Sequence, residues 1–214
     1  MPSFEDVRDR LRLPFDEVAA RSRAVVPLST EPVDDATVMA CIDVAVGAIA
    51  DSRRRCEFVV LRDPDRLHQL ARIYRQGWSV YRRLLRWQGS APVDGHQWEA
   101  DHFEDVPVVV VACVHGSRPV FPAFNAARYY APVFRALEDL LLAAHSLGLA
   151  ARMTTLPVWS GWQARRTLAL PRRVAPVAVV PLGWPREAIP AAPRPPQAEV
   201  ERLVHHDHWG NRGP

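Results

Sequence analysis

Residues 106–115 read VPVVVVACVH, a run that is apolar at nearly every position. A strand with one face in solvent alternates apolar and polar residues, whereas a strand covered on both faces is apolar throughout. The run is also far too short to cross a bilayer as a helix. It therefore predicts a central strand of a sheet that lies between layers of helices.

The spacing of apolar residues predicts helices both before and after this strand in the sequence. The predicted helical segments are 4–13, 15–23, 31–50, 65–87, 125–149 and 160–170. Asp34 or Asp35 is placed to cap the third of them, and Gly148 is placed to end the fifth. The helix over 125–149 is apolar nearly all round its second half, which predicts a place in the core or in a dimer interface.

Three more short apolar runs predict strands, at 56–64, 151–157 and 174–185. We interpret these strands and helices as an α+β fold. We predict a three-layer sandwich in which a mixed sheet of four to five strands is enclosed by helices.

The chain shows no internal repeat and no shift in composition, so residues 1–189 are predicted to form one domain. Residues 190–214 are proline-rich at their start and have room for one or two helical turns. Such an arm cannot bury its own apolar residues, and we predict that it wraps a partner subunit. An intertwined homodimer follows from this prediction.

Composition excludes several classes of function. The 27 basic residues among 214 are all arginine, so a lysine Schiff base and a P-loop lysine are ruled out. A net charge of +3 does not call for a nucleic-acid partner. The N-terminal residues lack an apolar leader and no span is predicted, so we expect no membrane association and a cytoplasmic location. Cys41, Cys56 and Cys113 form no motif and are expected to be buried thiols.

A histidine-rich turn lies near the C-terminus, where His205, His206, Asp207 and His208 are consecutive. His205 and His208 could share one face of a helix, but no glutamate or cysteine nearby completes a metal shell, and Gly210 ends the turn. We therefore predict no metal site here, and interpret the turn as part of the exposed arm.

Four stretches, taken in order, resemble the FMN-dependent nitroreductase family. They are STEPVDDATVMACIDVAVGAIA, CEFVVLRDPDRLHQLARIYRQGW, YYAPVFRALEDLLLAAHSLGL, and VAPVAVVPLGWP closing into VERLVHHDHWG. The resemblance implies a nitroreductase-like homodimer that binds FMN at its interface. It also implies a hydride taken from NADH or NADPH and electrons passed to a nitroaromatic, a quinone or a related small aromatic acceptor. In this reading Trp209 anchors the arm on the partner subunit.

The resemblance also implies which residues contact the cofactor. The family's phosphate motif precedes the third helix, where this chain has Arg21, Ser22 and Arg23, shifted by one position and without the serine and second base that usually follow. Arg194 stands where the family often has another phosphate-binding base in the arm. These arginines could together supply the charge that a phosphate needs.

Two further pairs are implied to face the flavin ring. Ser52 and Arg54 stand near the place where many members carry an amide and an indole. One interpretation is that Arg54 stabilises the anionic reduced ring or binds an acidic acceptor. The other is that Arg54 belongs to a solvated run of charged residues. Thr154 and Thr155 match the loop that offers an N–H toward flavin N5, although threonines are also common simply as strand residues. No protein side chain is assigned a catalytic role, because the redox chemistry belongs to the flavin.

Three functions stay open on the sequence alone. The first is an FMN oxidoreductase acting with NADH or NADPH. The second is a flavin-poor or flavin-free relative that binds or sequesters a ligand. The third uses the arginines of 72–86 to bind an acidic partner or nucleic acid, although an amphipathic surface helix explains that segment more simply.

Overall fold

The computed structural model describes residues 2–21, 26–49, 56–87, 94–116, 124–190 and 194–211. Within those residues the strands are β1 Cys56–Leu61, β2 Val108–His115, β3 Ala150–Ala151 and β4 Val174–Gly183. They form one sheet in the order β1-β2-β4-β3, and every pair is antiparallel. The predicted α+β fold is confirmed, and the described sheet is antiparallel where a mixed one was expected.

The central strand is β2, as the sequence predicts. Its residues 108–114 are buried, and they alternate between two separate cores. The even-numbered residues from Val108 to Val114 pack in one core, and the odd-numbered residues from Val109 to Cys113 pack in the other. Successive side chains of a strand point to opposite faces, so an apolar residue at every position serves two cores at once.

Helices cover both faces of this sheet. They are α1 Phe4–Arg8, α2 Phe15–Arg21, α3 Asp35–Ala48, α4 Pro64–Trp87, α5 Asp94–His102, α6 Phe124–Ser146, α7 Gly161–Thr167 and α8 Gln197–Leu203. The core on one face is formed with α3 and α6, and the core on the other with α4, α5 and α7. This arrangement confirms the three-layer sandwich.

Helix ends agree with the capping residues chosen from sequence. Asp34 accepts a hydrogen bond from the N–H of Thr37 at 2.8 Å and caps α3. Gly148 has φ +85°, a left-handed conformation that glycine adopts without a steric cost, and it follows the end of α6. Helix α5 was not predicted, because its sequence DGHQWEADH is mostly polar and lacks a clear helical period.

The strand predicted over 151–157 is much shorter in the structure. Only Ala150–Ala151 form β3, and Thr154 adds a single bridge to Val179 of β4. A 3₁₀ turn, Leu156–Val158, follows at once. Pro157 has no N–H to give to a ladder, which explains why pairing stops at this point.

The described part of the arm runs over 194–211 and contains α8. Its large apolar side chains lie in solvent, with Leu203 77% and Trp209 87% exposed. The division into a domain and a partner-wrapping arm therefore stays a prediction, as does the homodimer. Among the described helices, none is both long enough and apolar enough to cross a membrane.

Candidate functional site

The segment that follows the predicted phosphate residues is held against the end of β4. Ser29 donates its N–H to the carbonyl of Trp184 at 2.7 Å, and Arg186 donates its N–H to the carbonyl of Pro27 at 2.9 Å. Because β3 pairs with the same end of β4, the segment at 26–29 and the loop after β3 share one edge of the sheet.

Two of the predicted phosphate contacts, Arg21 and Arg194, each pair with a carboxylate of helix α2 although they are far apart in the chain. Arg21 lies 3.7 Å from the carboxylate of Glu17, and Arg194 lies 3.2 Å from the carboxylate of Asp16. Both ion pairs are solvent-exposed, and such pairs contribute little to stability. A dianionic phosphate could therefore replace these carboxylates at small cost.

His145 shows that the end of α2 lies near the end of α6. Its side chain is 1% exposed, and its ring nitrogens lie near the backbone of Leu149 and Ala151 without forming a hydrogen bond of good geometry. Burial lowers the pKa of His145, and the nearby positive charge of Arg21 lowers it further. His145 also lies beside the backbone of Ala151, so Arg21 is placed close to β3. The sequence gives no hint of this buried histidine beyond its place in an apolar helix.

The two threonines of the predicted flavin loop differ in their surroundings. Thr154 donates its N–H to the carbonyl of Val179 at 2.8 Å and accepts the N–H of Val179 at 2.8 Å. Its side chain is buried, and its hydroxyl oxygen accepts the N–H of Leu156 at 3.4 Å. Thr155 is exposed. Thr154 thus anchors the loop to β4, and Thr155 is the residue that faces solvent.

A buried ion pair ties the same loop to the helical layer. Arg152, which precedes the loop, pairs with the carboxylate of Glu99 on α5, and the two side chains are 22% and 9% exposed. The hydroxyl of Tyr74 on α4 donates to the same carboxylate oxygen at 3.0 Å. Burial lowers the pKa of Arg152 and raises that of Tyr74. Sequence reasoning missed this network, because Glu99 and Arg152 lie on different elements and match no motif.

A small cavity lies against this ion pair. It has a volume of about 30 Å³ and is lined by Glu99, Arg152 and apolar residues that include Leu28. Such a volume suits one or two water molecules and is too small for an aromatic substrate. The rings of Trp98 and His102 stack at its side with centroids 4.5 Å apart.

Four of the predicted cofactor contacts, Ser22, Arg23, Ser52 and Arg54, lie outside the described residues. The described ones divide into two groups. Arg21 and Arg194 each pair with a carboxylate of α2, and Thr154 and Thr155 lie on the loop after β3.

The C-terminal histidine turn folds on itself. The Nδ1 atom of His205 accepts the N–H of Gly210 at 3.0 Å, and its ring stacks on Trp209 with centroids 4.1 Å apart. Within the ranges that the structure covers, no three histidine, cysteine, aspartate or glutamate side chains are grouped to hold a metal.

The cysteines behave as predicted. Cys41, Cys56 and Cys113 are free and buried. Burial raises the pKa of each thiol, to about 12 for Cys41 and Cys113 and to about 11 for Cys56. These thiols are protonated at neutral pH and are poor nucleophiles.

Known proteins resemble this chain over most of its length. It is 26% identical over 180 residues to a protein of Methanothermobacter thermautotrophicus whose name proposes an NADH dehydrogenase or NAD(P)H nitroreductase, covering 80% of this chain and 77% of that protein. No protein-family model matches the chain.

Solved structures agree with this likeness. Nitroreductase A of Vibrio parahaemolyticus has a TM-score of 0.68 at 18% identity, covering 94% of this chain and 78% of its own. The NADPH:FMN oxidoreductase of Vibrio harveyi, solved with NAD⁺, has a TM-score of 0.67 at 18% identity, covering 92% of this chain and 78% of its own. The chain has the nitroreductase fold, and the resemblance seen in its sequence is confirmed.

Proposed function

We propose that this protein is a flavin-dependent oxidoreductase that binds FMN and takes its hydride from NADH or NADPH. The observation that carries the proposal is that Arg21 and Arg194, from distant parts of the chain, both pair with exposed carboxylates of α2, and such exposed pairs are exchangeable. The neighbouring edge of the sheet presents the loop that ends in the exposed Thr155. The names of the similar nitroreductases and of the NADPH:FMN oxidoreductase support the same class of reaction.

The residues present fit the chemical needs of FMN. A phosphate dianion requires guanidinium, hydroxyl or N–H donors, and Arg21, Arg194, Ser22 and Arg23 supply the first two kinds. When bound, FMN supplies hydride acceptance from a nicotinamide and electron delivery to an acceptor. The chain itself binds the phosphate, orients the ring and keeps one ring face accessible.

The loop after β3 is proposed to orient the flavin ring. Thr154 is fixed to β4 through both of its backbone groups, so it holds the loop in place, while Thr155 offers its N–H and hydroxyl to the ring. Rigid support of this kind keeps a donor within hydrogen-bond reach of its target. Ser52 and Arg54 are proposed for the carbonyl end of the ring, where a cation stabilises negative charge.

A second copy of the chain is the proposed partner. The arm carries Leu203 and Trp209 in solvent, and exposed apolar side chains in such number favour an interface. In this homodimer residues 190–214 wrap the neighbouring subunit. The acceptor is proposed to be a nitroaromatic, a quinone or a related small aromatic molecule.

A binding or sequestering protein without flavin is the alternative. It is favoured by the carboxylates of Glu17 and Asp16, which already neutralise Arg21 and Arg194, and by the incomplete phosphate motif. Absence of FMN binding to the purified protein would select this alternative.

The experiment is a titration of FMN and of riboflavin into the wild type, Arg23→Ala and Arg194→Ala. Each substitution is expected to weaken FMN binding by about 1.5–3 kcal/mol, roughly ten- to a hundredfold, because a charge-assisted contact to a dianion is lost. Riboflavin lacks the phosphate and should bind all three proteins equally. Arg86→Ala, an exposed arginine of α4 outside the arm, is the matched control and should bind FMN like the wild type.

The variant Arg54→Gln tests the proposed contact with the flavin ring separately from the contact with the phosphate. If Arg54 faces the carbonyl end of the ring, removing its charge should lower the reduction potential of bound FMN while phosphate affinity stays nearly constant. A potential equal to that of the wild type would assign Arg54 to the solvated charged run. Equal losses of FMN and riboflavin in Arg23→Ala and Arg194→Ala would remove the phosphate assignment.

A further inference from the structure

A polar groove lies between α4 and α7, on the outer helical layer. It has a volume of about 360 Å³, and its lining includes Arg72 and Gln76 from α4 and Trp162, Gln163 and Arg166 from α7. Ligand pockets for small molecules begin at about 300 Å³. None of the proposed flavin contacts lines this groove, so the proposed function does not explain it.

Two uncompensated positive charges border the groove. Arg72 and Arg166 are exposed, and within the described ranges neither has a carboxylate partner. Arg75, three residues along α4, is by contrast 3.5 Å from the carboxylate of Glu104. Two guanidinium groups on one groove attract an anion and can bind carboxylate or phosphate oxygens in a fork.

An exposed indole stands beside these charges. Trp162 is 69% exposed, and the guanidinium of Arg166 lies 5.7 Å from the centre of its ring. This contact places the cation over one face of the indole, so a ligand ring would stack on the opposite face. An aromatic ring that stacks on Trp162 would remove apolar surface of both partners from water.

The third group is the amide of Gln163. Its Oε1 atom is buried and has no hydrogen-bond partner, although the residue lines the groove. Because this atom has almost no accessible surface, a ligand in the groove does not reach it, and Gln163 contributes to the lining through the rest of its side chain.

The base of α7 is rigid, which favours a preformed site. The indole Nε1 of Trp159 donates to the carbonyl of Ile73 at 3.0 Å, and this bond joins the turn before α7 to α4. Gly77 leaves room for the same indole, because a Cβ there would stand 2.5 Å from its Cδ1 atom. The two helices are therefore held at a fixed spacing, and little order has to be created when a ligand binds.

We propose that the groove between α4 and α7 binds a small planar anion, namely an aromatic or heteroaromatic ring that carries a carboxylate or phosphate. The anionic group lies against Arg72 and Arg166, and the ring stacks on the open face of Trp162. The site is separate from the flavin site and does not depend on FMN.

Titration of four probes tests this proposal. The probes are AMP, 4-aminobenzoate, and their uncharged counterparts adenosine and 4-aminobenzamide. At least one anion should bind in the micromolar to low millimolar range, and its uncharged counterpart should bind about tenfold or more weakly, since it lacks the charge. Preference for AMP identifies a phosphate ligand, and preference for 4-aminobenzoate identifies a carboxylate.

Variants locate the binding. Arg72→Gln and Trp162→Leu should each weaken the preferred anion about fivefold or more, while Arg86→Gln, on the same helix but outside the groove, should leave it unchanged. Arg194→Ala should also leave it unchanged, which separates the groove from the proposed phosphate site. If neither anion binds at about 10 mM, a concentration high enough to detect millimolar affinities, the proposal is overturned. Full affinity in Arg72→Gln and Trp162→Leu, or a loss confined to Arg194→Ala, would also overturn it.

Discussion

The substitution Glu99→Gln tests how far the loop after β3 depends on its buried ion pair. It removes the negative charge next to Arg152 while keeping nearly the same shape and an oxygen that can still accept from Tyr74. The charge of Arg152 then stays in a site where it is only 22% exposed. Breaking a buried ion pair by removing one partner costs about 3–5 kcal/mol, because the remaining charge is uncompensated.

We expect the lower end of that range, about 3 kcal/mol, since the guanidinium keeps some contact with solvent. Unfolding entropy is about 2.1 cal/mol/K per residue, which gives roughly 0.45 kcal/mol/K for a chain of 214 residues. The melting temperature should therefore fall by about 7 °C. The loss should be partly recovered in the double variant Glu99→Leu, Arg152→Met, in which no charge remains buried, although the Tyr74 hydroxyl loses the acceptor that Glu99 provided.

Thermal and urea unfolding measure the stability change, and amide hydrogen exchange measures the loop. The N–H of Thr154, bonded to Val179, should exchange faster in Glu99→Gln if the ion pair holds the loop in place. Glu104→Gln is the matched control. Glu104 pairs with His68 and Arg75 but is 34% exposed, so its loss should cost less than about 1 kcal/mol. A stability change for Glu99→Gln no larger than that of the control, with unchanged exchange at Thr154, would refute the reasoning.

Three further results are expected. Burial lowers the pKa of His145 below its usual 6.5, so on acidification the unfolded chain binds that proton before the folded protein does, and stability is lost as pH falls below about 6.5. The variant His145→Leu should therefore lose less stability than the wild type between about pH 7 and pH 5. The difference, measured by urea unfolding, should be up to about 1.4 kcal/mol per pH unit. Gly77→Ala places a Cβ 2.5 Å from Trp159 and should lower the free energy of unfolding by about 1–3 kcal/mol, whereas Gly47→Ala, with nothing within 4 Å, should raise it slightly. Deletion of 190–214 should halve the mass seen by light scattering and reduce solubility if the arm holds two subunits together; an unchanged mass would contradict the proposed arm.

Local pattern was enough to predict much of the fold. The uninterrupted apolar run of β2 predicts a strand with two covered faces, because side chains alternate and each face must find a core. The cap of α3 could be narrowed to Asp34 or Asp35 because capping involves only residues three positions apart, and the structure uses Asp34. Helix α5 and the early end of β3 were not predicted, since a polar helix and an interrupted strand are stabilised by their neighbours and not by their own period.

For the candidate site, too, some features could be predicted from the sequence and others required the tertiary structure. The order of motifs was enough to single out Arg21, Arg194 and the threonine loop, because those residues lie in recognisable stretches of sequence. Only the tertiary structure brings Arg194 to the same helix as Arg21, pairs Glu99 with Arg152, and places Arg72 and Trp162 on one groove. These contacts join elements far apart in the chain, and their geometry depends on how the helices pack on the sheet, which no local spacing of residues encodes.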